Sequence, residues 1–381
     1  MQGVMRRIIT LAIAAMGFGC SKSGAPEQSL PTTISVDTTA ASPSTDGSFP
    51  EPDGAPLQVD GAFPAQPDSA SPQAPSPCGH GRRMAIHFYD VGQGLAALVD
   101  LPDGRHLLVD TGDSPHRAGC DTCMLANRHL LSALATDLRG DPIALLWITH
   151  QHSDHIGGAP EILGRFHVRT FADNGRGDRE REVKRAHEAA VAASAEIRVI
   201  DPDHRDAPIA GDADVTITPV LPRVWPPSCA HDPNECTIAL RIDYCASSVL
   251  FTGDAEHEEE KLLEPLRPIT LLQVAHHGSE TSSTPGFLAK IRPAYAVISA
   301  GKPGEGLNRD YCHPRAIIVK RLTHLLGNPG AVALRAFDGE RCAKSQASDW
   351  IDIPGSTRMW ATARDGDVVL TTTGDGTFSR N

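Results

Sequence analysis

The chain is poor in long apolar segments and in positive charge. Its apolar stretch at residues 8–18 is shorter than the roughly 20 residues that span a bilayer as a helix. The 381 residues include 35 basic and 47 acidic side chains, and 32 of the basic and 40 of the acidic ones lie in residues 78–381. Because nucleic-acid-binding surfaces are basic, this excess of acid counts against a broad one. No internal repeat is evident.

The amino terminus has the features of an export signal. Arg6 and Arg7 precede the apolar stretch, and Gly19 and Cys20 follow it. This order is similar to a bacterial lipoprotein signal, which predicts a signal peptide over residues 1–20 and lipidation of Cys20. An ordinary secretory signal, cleaved nearby, is the alternative. We therefore predict an exported protein, in the periplasm or at the cell surface, that meets the membrane only through a lipid anchor.

Large apolar side chains are scarce between residues 21 and 77. This segment contains eleven prolines, seven acidic residues and one lysine, mostly among Ser, Ala and Thr. Such a composition cannot bury enough apolar surface to offset the entropy lost on ordering, so a disordered linker is predicted. A cleaved pro-segment is the alternative, although no processing signal is visible. Residues 78–381 remain as one domain-sized block.

This block contains eight cysteines, an even number that favours disulfides in an exported chain. Cys120 and Cys123 could form a redox pair or half a zinc site, but no second C-x-x-C is present. A local structural disulfide is therefore favoured for them. Cys229 and Cys236 bracket a polar loop and are candidates for a second pair. The sequence leaves the full connectivity open.

Apolar periodicity divides the block into alternating strands and helices. Strands are predicted at residues 84–90, 95–101, 106–110, 143–149, 197–200, 214–220, 237–244, 248–252, 269–275 and 294–299. Helices are predicted at residues 125–138, 180–195, 256–263, 285–291 and 314–326. Residues 357–372 suggest a hairpin that turns at Asp365-Gly366. Antiparallel hairpins interleaved with single helices predict two sheets with helices outside them.

Three histidines and an aspartate fall within six positions directly after the strand at residues 143–149. The segment reads His150-Gln151-His152-Ser153-Asp154-His155, and Gly157-Gly158 follow as a helix begins. Neutral imidazoles and a carboxylate together suit a borderline divalent cation. A polar loop with incidental histidines is the alternative, but the dense spacing after a buried strand favours metal ligands.

Three more apolar runs end in a group that could serve a metal site. One ends at Asp110, where a carboxylate could fix the tautomer of a metal-bound histidine, although a turn aspartate is the commoner role of D-T-G. Another ends at Asp254, which could bridge two cations. The third ends in His276 and His277, and paired histidines after a buried strand favour a ligand role.

Residues 308–314 form a further polar segment, which precedes a predicted helix. Asn308 and His313 are candidates for contact with a substrate. A loop asparagine and a histidine at a helix start explain the same residues equally well. The sequence does not choose between these two interpretations.

Together these motifs resemble the metallo-β-lactamase superfamily, and more narrowly the hydrolase domain of ComEC-type competence proteins. The resemblance covers roughly residues 84–335, in family order. It implies an α/β fold, a four-layer αββα sandwich with the metals at one edge between the sheets. The motifs that carry it are Phe88-Tyr89-Asp90-Val91-Gly92-Gln93-Gly94, Val109-Asp110-Thr111-Gly112, residues 149–158, Asn234-Glu235-Cys236-Thr237, Phe251-Thr252-Gly253-Asp254 and His276-His277-Gly278-Ser279.

The resemblance implies two divalent metal ions, zinc or manganese, and the residues that hold them. It assigns His150 and His152 to the first ion. It assigns Asp154, His155 and His276 to the second ion, and Asp254 would bridge the two. A water between the ions would be deprotonated near neutral pH and attack the substrate. Asp90 and Asp110 are the candidates for positions behind the ligands, and the candidate catalytic residues are Asp154, Asp254, His277, Asn308 and His313.

Two positions depart from the family's pattern. Many members carry a further histidine between the first cluster and the bridging aspartate, and here the matching region offers only His231, in a different setting. Leu95 stands where the family tends to have aspartate after D-V-G-Q-G. The departure at the third histidine predicts weaker metal binding at the first site than at the second.

Three functions are compatible with the sequence. An exported metallohydrolase acting on a phosphodiester or nucleotide-like substrate fits the motif set best, with a small molecule or a nucleic-acid-like molecule as its partner. A metallohydrolase acting on a lactam, ester or thioester bond is the second. A non-catalytic surface binding module stabilised by metal is the third. No protein partner is inferable.

Overall fold

Two β-sheets face each other in the structure, a computed structural model that describes residues 78–205, 209–212 and 214–381. The predicted signal peptide, Cys20 and the linker of residues 21–77 lie outside the described residues. In chain order the strands are β1 (Met84–Phe88), β2 (Ala97–Asp100), β3 (His106–Val109), β4 (Ile143–Trp147), β5 (Val168–Asp173), β6 (Glu196–Val199), β7 (Ile209–Asp212), β8 (Val215–Val220), β9 (Ala239–Tyr244), β10 (Ser247–Phe251), β11 (Leu271–Gln273), β12 (Tyr295–Ile298), β13 (Pro329–Phe337), β14 (Trp350–Ser356), β15 (Met359–Ala361), β16 (Val368–Thr372) and β17 (Ser379–Arg380).

The first sheet has the spatial order β17-β16-β1-β2-β3-β4-β5-β6, and the second has the order β15-β12-β11-β10-β9-β8-β7. Strands β13 and β14 pair separately as an antiparallel hairpin. Strands β3 to β6 run parallel in the first sheet, and β10 to β12 run parallel in the second. Because carboxyl ends of parallel strands meet at one edge of a sheet, each sheet gathers its strand-end residues in one place.

Helices cover the outer faces of both sheets. Those with the longest apolar faces are α1, α4 and α8, and α1 buries Leu130, Leu134 and Leu138 at the four-residue spacing of one helix face. The described helices are α1 (Asp121–Leu138), α2 (Ser153–Ile156), α3 (Ala159–Arg165), α4 (Arg181–Ala192), α5 (His257–Leu262), α6 (Pro285–Ile291), α7 (Asn308–Tyr311), α8 (Ala316–Leu326) and α9 (Thr362–Asp365). Helices α1, α3 and α4 pack on the first sheet, and α6 and α8 pack on the second.

The main core lies between the two sheets. Alternate residues of β1 are buried, and Phe88 from this strand meets Phe251 from β10 with ring centroids 5.9 Å apart. Each aromatic or aliphatic side chain buried in this way contributes roughly 1.5–3 kcal/mol. The layers therefore follow the order helix, sheet, sheet, helix, and the predicted αββα sandwich is confirmed.

The predicted hairpin of residues 357–372 is wrong. Strand β15 lies in the second sheet, parallel to β12, whereas β16 lies in the first sheet, antiparallel to β1. Helix α9 separates the two strands, and its Asp365 carboxylate accepts a hydrogen bond from the backbone N–H of Ala361. The Asp365-Gly366 pair was a correct turn signal, but a turn does not determine which sheet each flanking strand joins.

The described cysteines form four disulfides. The predicted pairs Cys120–Cys123 and Cys229–Cys236 are both present. Two longer links, Cys78–Cys245 and Cys312–Cys342, join segments that are 167 and 30 residues apart. No helix in the described part of the chain is long and apolar enough to cross a membrane.

Asp100 connects two histidines on the first sheet. Its two carboxylate oxygens lie 2.9 Å from His87 Nε2 and 2.7 Å from His106 Nδ1. Burial alone would raise the pKa of Asp100, but the hydrogen bonds from His106 and His87 lower it to about 2. The pKa of His87 is raised, since Asp100 outweighs the lowering effect of burial. The carboxylate also raises the pKa of His106.

These shifts give the stability of the sheet a defined pH dependence. The contribution of Asp100 is present above pH 4 or so and is lost as the pH falls through about 2. The contribution of His87 and His106 is present below about pH 6.5 and is lost as the pH rises through the raised pKa values of these histidines.

We therefore expect Asp100→Asn to lower the unfolding free energy by roughly 1–2 kcal/mol near pH 5.5. Denaturant unfolding at pH 3, 5.5 and 8.5 measures this, and the effect should be smaller at both extremes. Asp352→Asn, which removes an exposed ion pair with Arg335, is the control; equal effects of Asp100→Asn at all three pH values would contradict the analysis.

Candidate metal centre

The histidine-rich loop begins where β4 ends, and Asp110 at the end of β3 fixes its first residues. Asp110 is fully buried and has a positive φ of 58°. Its Oδ1 accepts a hydrogen bond from the Thr149 backbone N–H at 2.7 Å, and its Oδ2 accepts one from the Thr149 hydroxyl at 2.8 Å. The same Oδ2 lies 2.7 Å from His155 Nδ1. The carboxylate predicted to lie behind the ligands therefore contacts one of them.

Four groups from both sheets converge on one point: Asp154, His155, Asp254 and His277. His155 Nε2 lies 3.2 Å from Asp254 Oδ1 and 3.3 Å from His277 Nε2. His277 Nε2 in turn lies 3.3 Å from Asp154 Oδ2 and 3.4 Å from Asp254 Oδ2. The structure thus brings together two carboxylates and two imidazoles that are distant in the sequence.

The other ring nitrogen of each imidazole is already occupied. His277 Nδ1 lies 2.7 Å from the backbone oxygen of Ser299, which can only accept, so Nδ1 carries the proton. His155 Nδ1 faces the Asp110 carboxylate in the same way. In each neutral ring the lone pair is therefore on Nε2, and both lone pairs point at the same place. This is the tautomer in which histidine binds metal while its second nitrogen is held by the protein.

The spacing of these atoms fits a cation. Ligands 2.0–2.1 Å from a tetrahedral zinc ion lie roughly 3.3 Å from one another, which is the spacing of the converging nitrogens and oxygens here. Asp254 Oδ1 is buried and faces His155 Nε2 at 3.2 Å, so it has no described hydrogen-bond donor when that ring is neutral. A buried carboxylate oxygen without a hydrogen bond is costly unless a positive charge compensates it. Nitrogen and oxygen donors together suit zinc and allow manganese.

Without a cation, protons provide the positive charge in this cluster. Burial alone would lower the pKa of His277, but Asp254 and Asp154 raise it to about 9. Asp254 and Asp110 likewise outweigh burial and raise the pKa of His155. In the opposite sense, His155 and His277 overcome burial and hold the pKa of Asp254 well below its ordinary value. The pocket thus stabilises positive charge at the point where the lone pairs meet.

His150 and His152 form a second pair beside this cluster. His150 Nε2 lies 3.2 Å from His152 Nδ1 and 4.0 Å from Asp254 Oδ2. Burial and the nearby His155 lower the pKa of His150 well below its ordinary value, which favours the neutral ring that binds metal. Asp254 therefore lies between the two pairs of ligands. His231 is exposed and belongs to none of the described groups that could hold an ion.

His276, predicted as a ligand, faces a different carboxylate. Its Nδ1 lies 2.9 Å from Glu256 Oε1, and its Nε2 lies 3.8 Å from Asp254 Oδ2. Asn234 Nδ2 donates to the same Glu256 oxygen at 3.2 Å. His276 thus lies at the edge of the cluster, whereas His277, predicted as catalytic, lies inside it. The sequence signal for Glu256 was its position two residues after Asp254, and sequence reasoning missed it.

His313 lies next to these histidines, while Asn308 lies behind it. The ring of His313 is 5.3 Å from that of His276, and burial lowers its pKa well below the ordinary value. Gln93 Nε2 lies 3.3 Å from His313 Nδ1. Asn308 is fully buried, and its amide contacts the backbone of Gly301 and His313 at 2.6–2.7 Å. Asn308 therefore shapes the loop that presents His313.

Asp90 lies outside the cluster. Its Oδ1 accepts from the Gly92 backbone N–H at 3.2 Å, and its own N–H donates to Asp367. It borders a cavity of about 460 Å³ that Gln93 and the first turns of α1 also line. The described contacts of Asp90 do not include any candidate ligand.

Comparison with known proteins agrees with this arrangement. Residues 89–302 match the family model described as Metallo-beta-lactamase superfamily. The chain belongs to the metallo-β-lactamase superfamily. This superfamily typically consists of hydrolases that bind divalent metals, so the coarser part of the sequence-based prediction is confirmed.

Similar proteins confirm the narrower resemblance to ComEC-type competence proteins. Recombination protein 2 of Haemophilus influenzae is 31% identical over 221 residues, which are 57% of this chain and 24% of that protein. ComE operon protein 3 of Bacillus subtilis is 27% identical over 249 residues, 62% of this chain and 30% of that protein. The chain thus spans less than a third of the length of these relatives. Zn(2+)-bound PqqB from Methylobacterium extorquens aligns with a TM-score of 0.39 at 13% identity, over 56% of this chain and 88% of that one.

The contact between Asp110 and His155 predicts a metal-binding defect. Asp110→Asn keeps the shape of the side chain but removes the charge that holds His155 Nδ1–H, so we expect metal affinity to fall about 10–100-fold. Competition with a chromophoric chelator measures the affinity. Asp173→Asn is the matched control, because Asp173 also ends a strand and contacts a histidine, His187, at 2.6 Å outside the cluster. Equal affinity in Asp110→Asn and the wild type would show that Asp110 does not support the ligand.

Proposed function

We propose that this protein is an exported metal-dependent hydrolase that cleaves a phosphodiester or nucleotide-like substrate. The observation that carries the proposal is the convergence of two histidine Nε2 atoms and two carboxylates in a buried site between the sheets. The His150–His152 pair on the other side of Asp254 supports a second ion. Disulfides on the described chain support export, and we keep the lipid anchor at Cys20 as part of the proposal.

We assign the ligands as follows. Asp154, His155 and His277 would hold one ion, His150 and His152 would hold the other, and Asp254 would contribute to both. Bound there, zinc or manganese would supply a hydroxide near neutral pH and stabilise negative charge on the reacting group. His277 replaces His276 in the set that the sequence alone suggested, because its Nε2 lone pair faces the other ligands.

The remaining residues position groups around this centre. Gln93 donates to His313 Nδ1, so the neutral His313 ring carries its proton on Nε2 and can donate it to a substrate oxygen. His276 is 17% exposed in its side chain and is oriented by Glu256. These two rings border the cluster and would contact the part of the substrate that does not bind metal.

A phosphodiester is favoured over the other bonds that this chemistry can cleave. Two cations held by these residues would suit an in-line displacement at phosphorus, in which both the attacking and the leaving oxygen carry charge. The relative named Recombination protein 2 favours the same class. Cleavage of a lactam, ester or thioester is the alternative.

Purified protein loaded with Mn²⁺ or Zn²⁺ should hydrolyse bis(p-nitrophenyl) phosphate, measured by p-nitrophenolate release. Loss of a residue that only hydrogen-bonds to a metal ligand lowers activity by up to roughly 100-fold. Asp254→Asn should lower kcat by more than this, because it removes the carboxylate proposed to bridge the ions. Nitrocefin is assayed in parallel. Turnover of nitrocefin alone would support the alternative, and no turnover of either substrate at full metal loading would favour a binding module.

The metal content of two variants tests whether His276 or His277 is the ligand. We expect His277→Ala to lose bound metal, because it removes a lone pair from the cluster, and His276→Ala to keep the wild-type content. Elemental analysis after equilibrium dialysis measures the ions per chain. The opposite result would restore the assignment of His276 as the ligand.

A further inference from the structure

Arg117 lies against the loop that carries the metal ligands. This residue is on the connection between β3 and α1, and its Nη1 lies 2.7 Å from Asp113 Oδ2. The same Nη1 lies 2.5 Å from the hydroxyl of Ser153, the residue before Asp154. These two contacts hold one side of the guanidinium beside the cluster.

On its other side the guanidinium meets a tyrosine from a separate loop. Arg117 Nη2 donates to Tyr311 Oη at 3.3 Å. Tyr311 is the last residue of α7, and its side chain remains 38% exposed. Its ring is 6.2 Å from that of His313, which borders His276. Arg117, Tyr311, His313 and His276 thus follow one another around the rim of the metal centre.

The guanidinium retains free hydrogen-bonding capacity toward this rim. Of its five N–H groups, the two on Nη1 face Asp113 and Ser153, and one on Nη2 faces Tyr311. The remaining N–H groups, on Nε and Nη2, engage no described residue, and the side chain is 30% exposed. Because Tyr311 accepts from Arg117, its own hydroxyl proton is also available.

We propose that Arg117 and Tyr311 bind the non-bridging oxygens of the substrate phosphate and make the site selective for an anionic diester. The Nε–H and Nη2–H edge of a guanidinium matches two oxygens of a phosphate in a planar fork. The tyrosine hydroxyl adds a third donor. This inference rests on the proposed phosphodiesterase function and names residues outside the metal ligands that select its substrate.

A structural role is the competing explanation, since the ion pair with Asp113 could simply hold the loop. The two roles differ in which kinetic constant changes. Loss of a substrate contact raises KM, or lowers kcat/KM, without changing the metal content, whereas loss of loop structure lowers metal content and thermal stability together.

The experiment measures kcat and KM for bis(p-nitrophenyl) phosphate, with metal content and Tm, in the wild type, Arg117→Ala, Arg117→Lys and Tyr311→Phe. A charged hydrogen bond contributes roughly 1.5–3 kcal/mol, so Arg117→Ala should lower kcat/KM about 10–100-fold at unchanged metal content. Arg117→Lys should recover part of this loss. Tyr311→Phe, which keeps the ring and the Asp113 ion pair, should lower kcat/KM several-fold.

Arg309→Ala is the matched control, because Arg309 is an exposed arginine on the same short helix as Tyr311 and its described ion pair is with Asp310. It should leave kcat/KM unchanged. The inference would be overturned if Arg117→Ala and Tyr311→Phe both kept the kcat/KM of the wild type. It would also be overturned if kcat/KM fell in both variants together with their metal content. In either case the phosphodiesterase proposal would stand. Absence of turnover in the fully loaded wild type would overturn the proposed function and this inference with it.

Discussion

The carboxylate of Asp110 is the interaction on which the arrangement of the site depends. It is fully buried, a situation that is unfavourable for a charge unless hydrogen bonds compensate it. Here the Thr149 backbone, the Thr149 hydroxyl and His155 Nδ1 all lie within 2.8 Å of its oxygens. These contacts join the ends of β3 and β4 and choose the tautomer of His155 at the same time. Local backbone geometry and ligand chemistry are therefore set by one side chain.

The second sheet orients its histidine by a different device. A backbone oxygen, that of Ser299 after β12, fixes His277 in the same tautomer. Neither sheet alone assembles the cluster, because His155 comes from the first and Asp254 and His277 come from the second. Packing of the two sheets over the apolar core brings the Nε2 atoms of His155 and His277 to 3.3 Å from each other. Stability of the sandwich and competence of the metal centre are thus coupled through the same interface.

Much of this could be predicted from sequence, because strand ends follow a simple rule. Asp110, His150 and Asp254 each follow an apolar run, and carboxyl ends of parallel strands meet at one edge. The choice between His276 and His277 could not be predicted, since both have positive φ, 50° and 55°, and strand alternation fails there. The sequence did not decide between a substrate contact and a loop role for Asn308, because it does not reveal that the amide contacts the loop backbone. The course of residues 357–372 could not be predicted either, because β15 pairs with β12 and β16 pairs with β1, and these partners are distant in the chain.

The charge distribution bears on the size of the substrate. The protein carries a formal charge of −12, so at long range it repels a polyanion such as duplex DNA. That repulsion is screened beyond a Debye length of about 8 Å at physiological ionic strength. Within that distance the proposed pair of divalent cations would carry four positive charges, against the two negative charges of Asp154 and Asp254. Asp113 neutralises Arg117. Asp110 and Glu256 contact the Nδ1 atoms of histidines whose Nε2 atoms face the centre, so the excess of positive charge is confined to the point where a substrate would bind. Attraction confined to the centre favours a short diester or a strand end over an extended duplex, because only the group that enters the centre experiences a positive field.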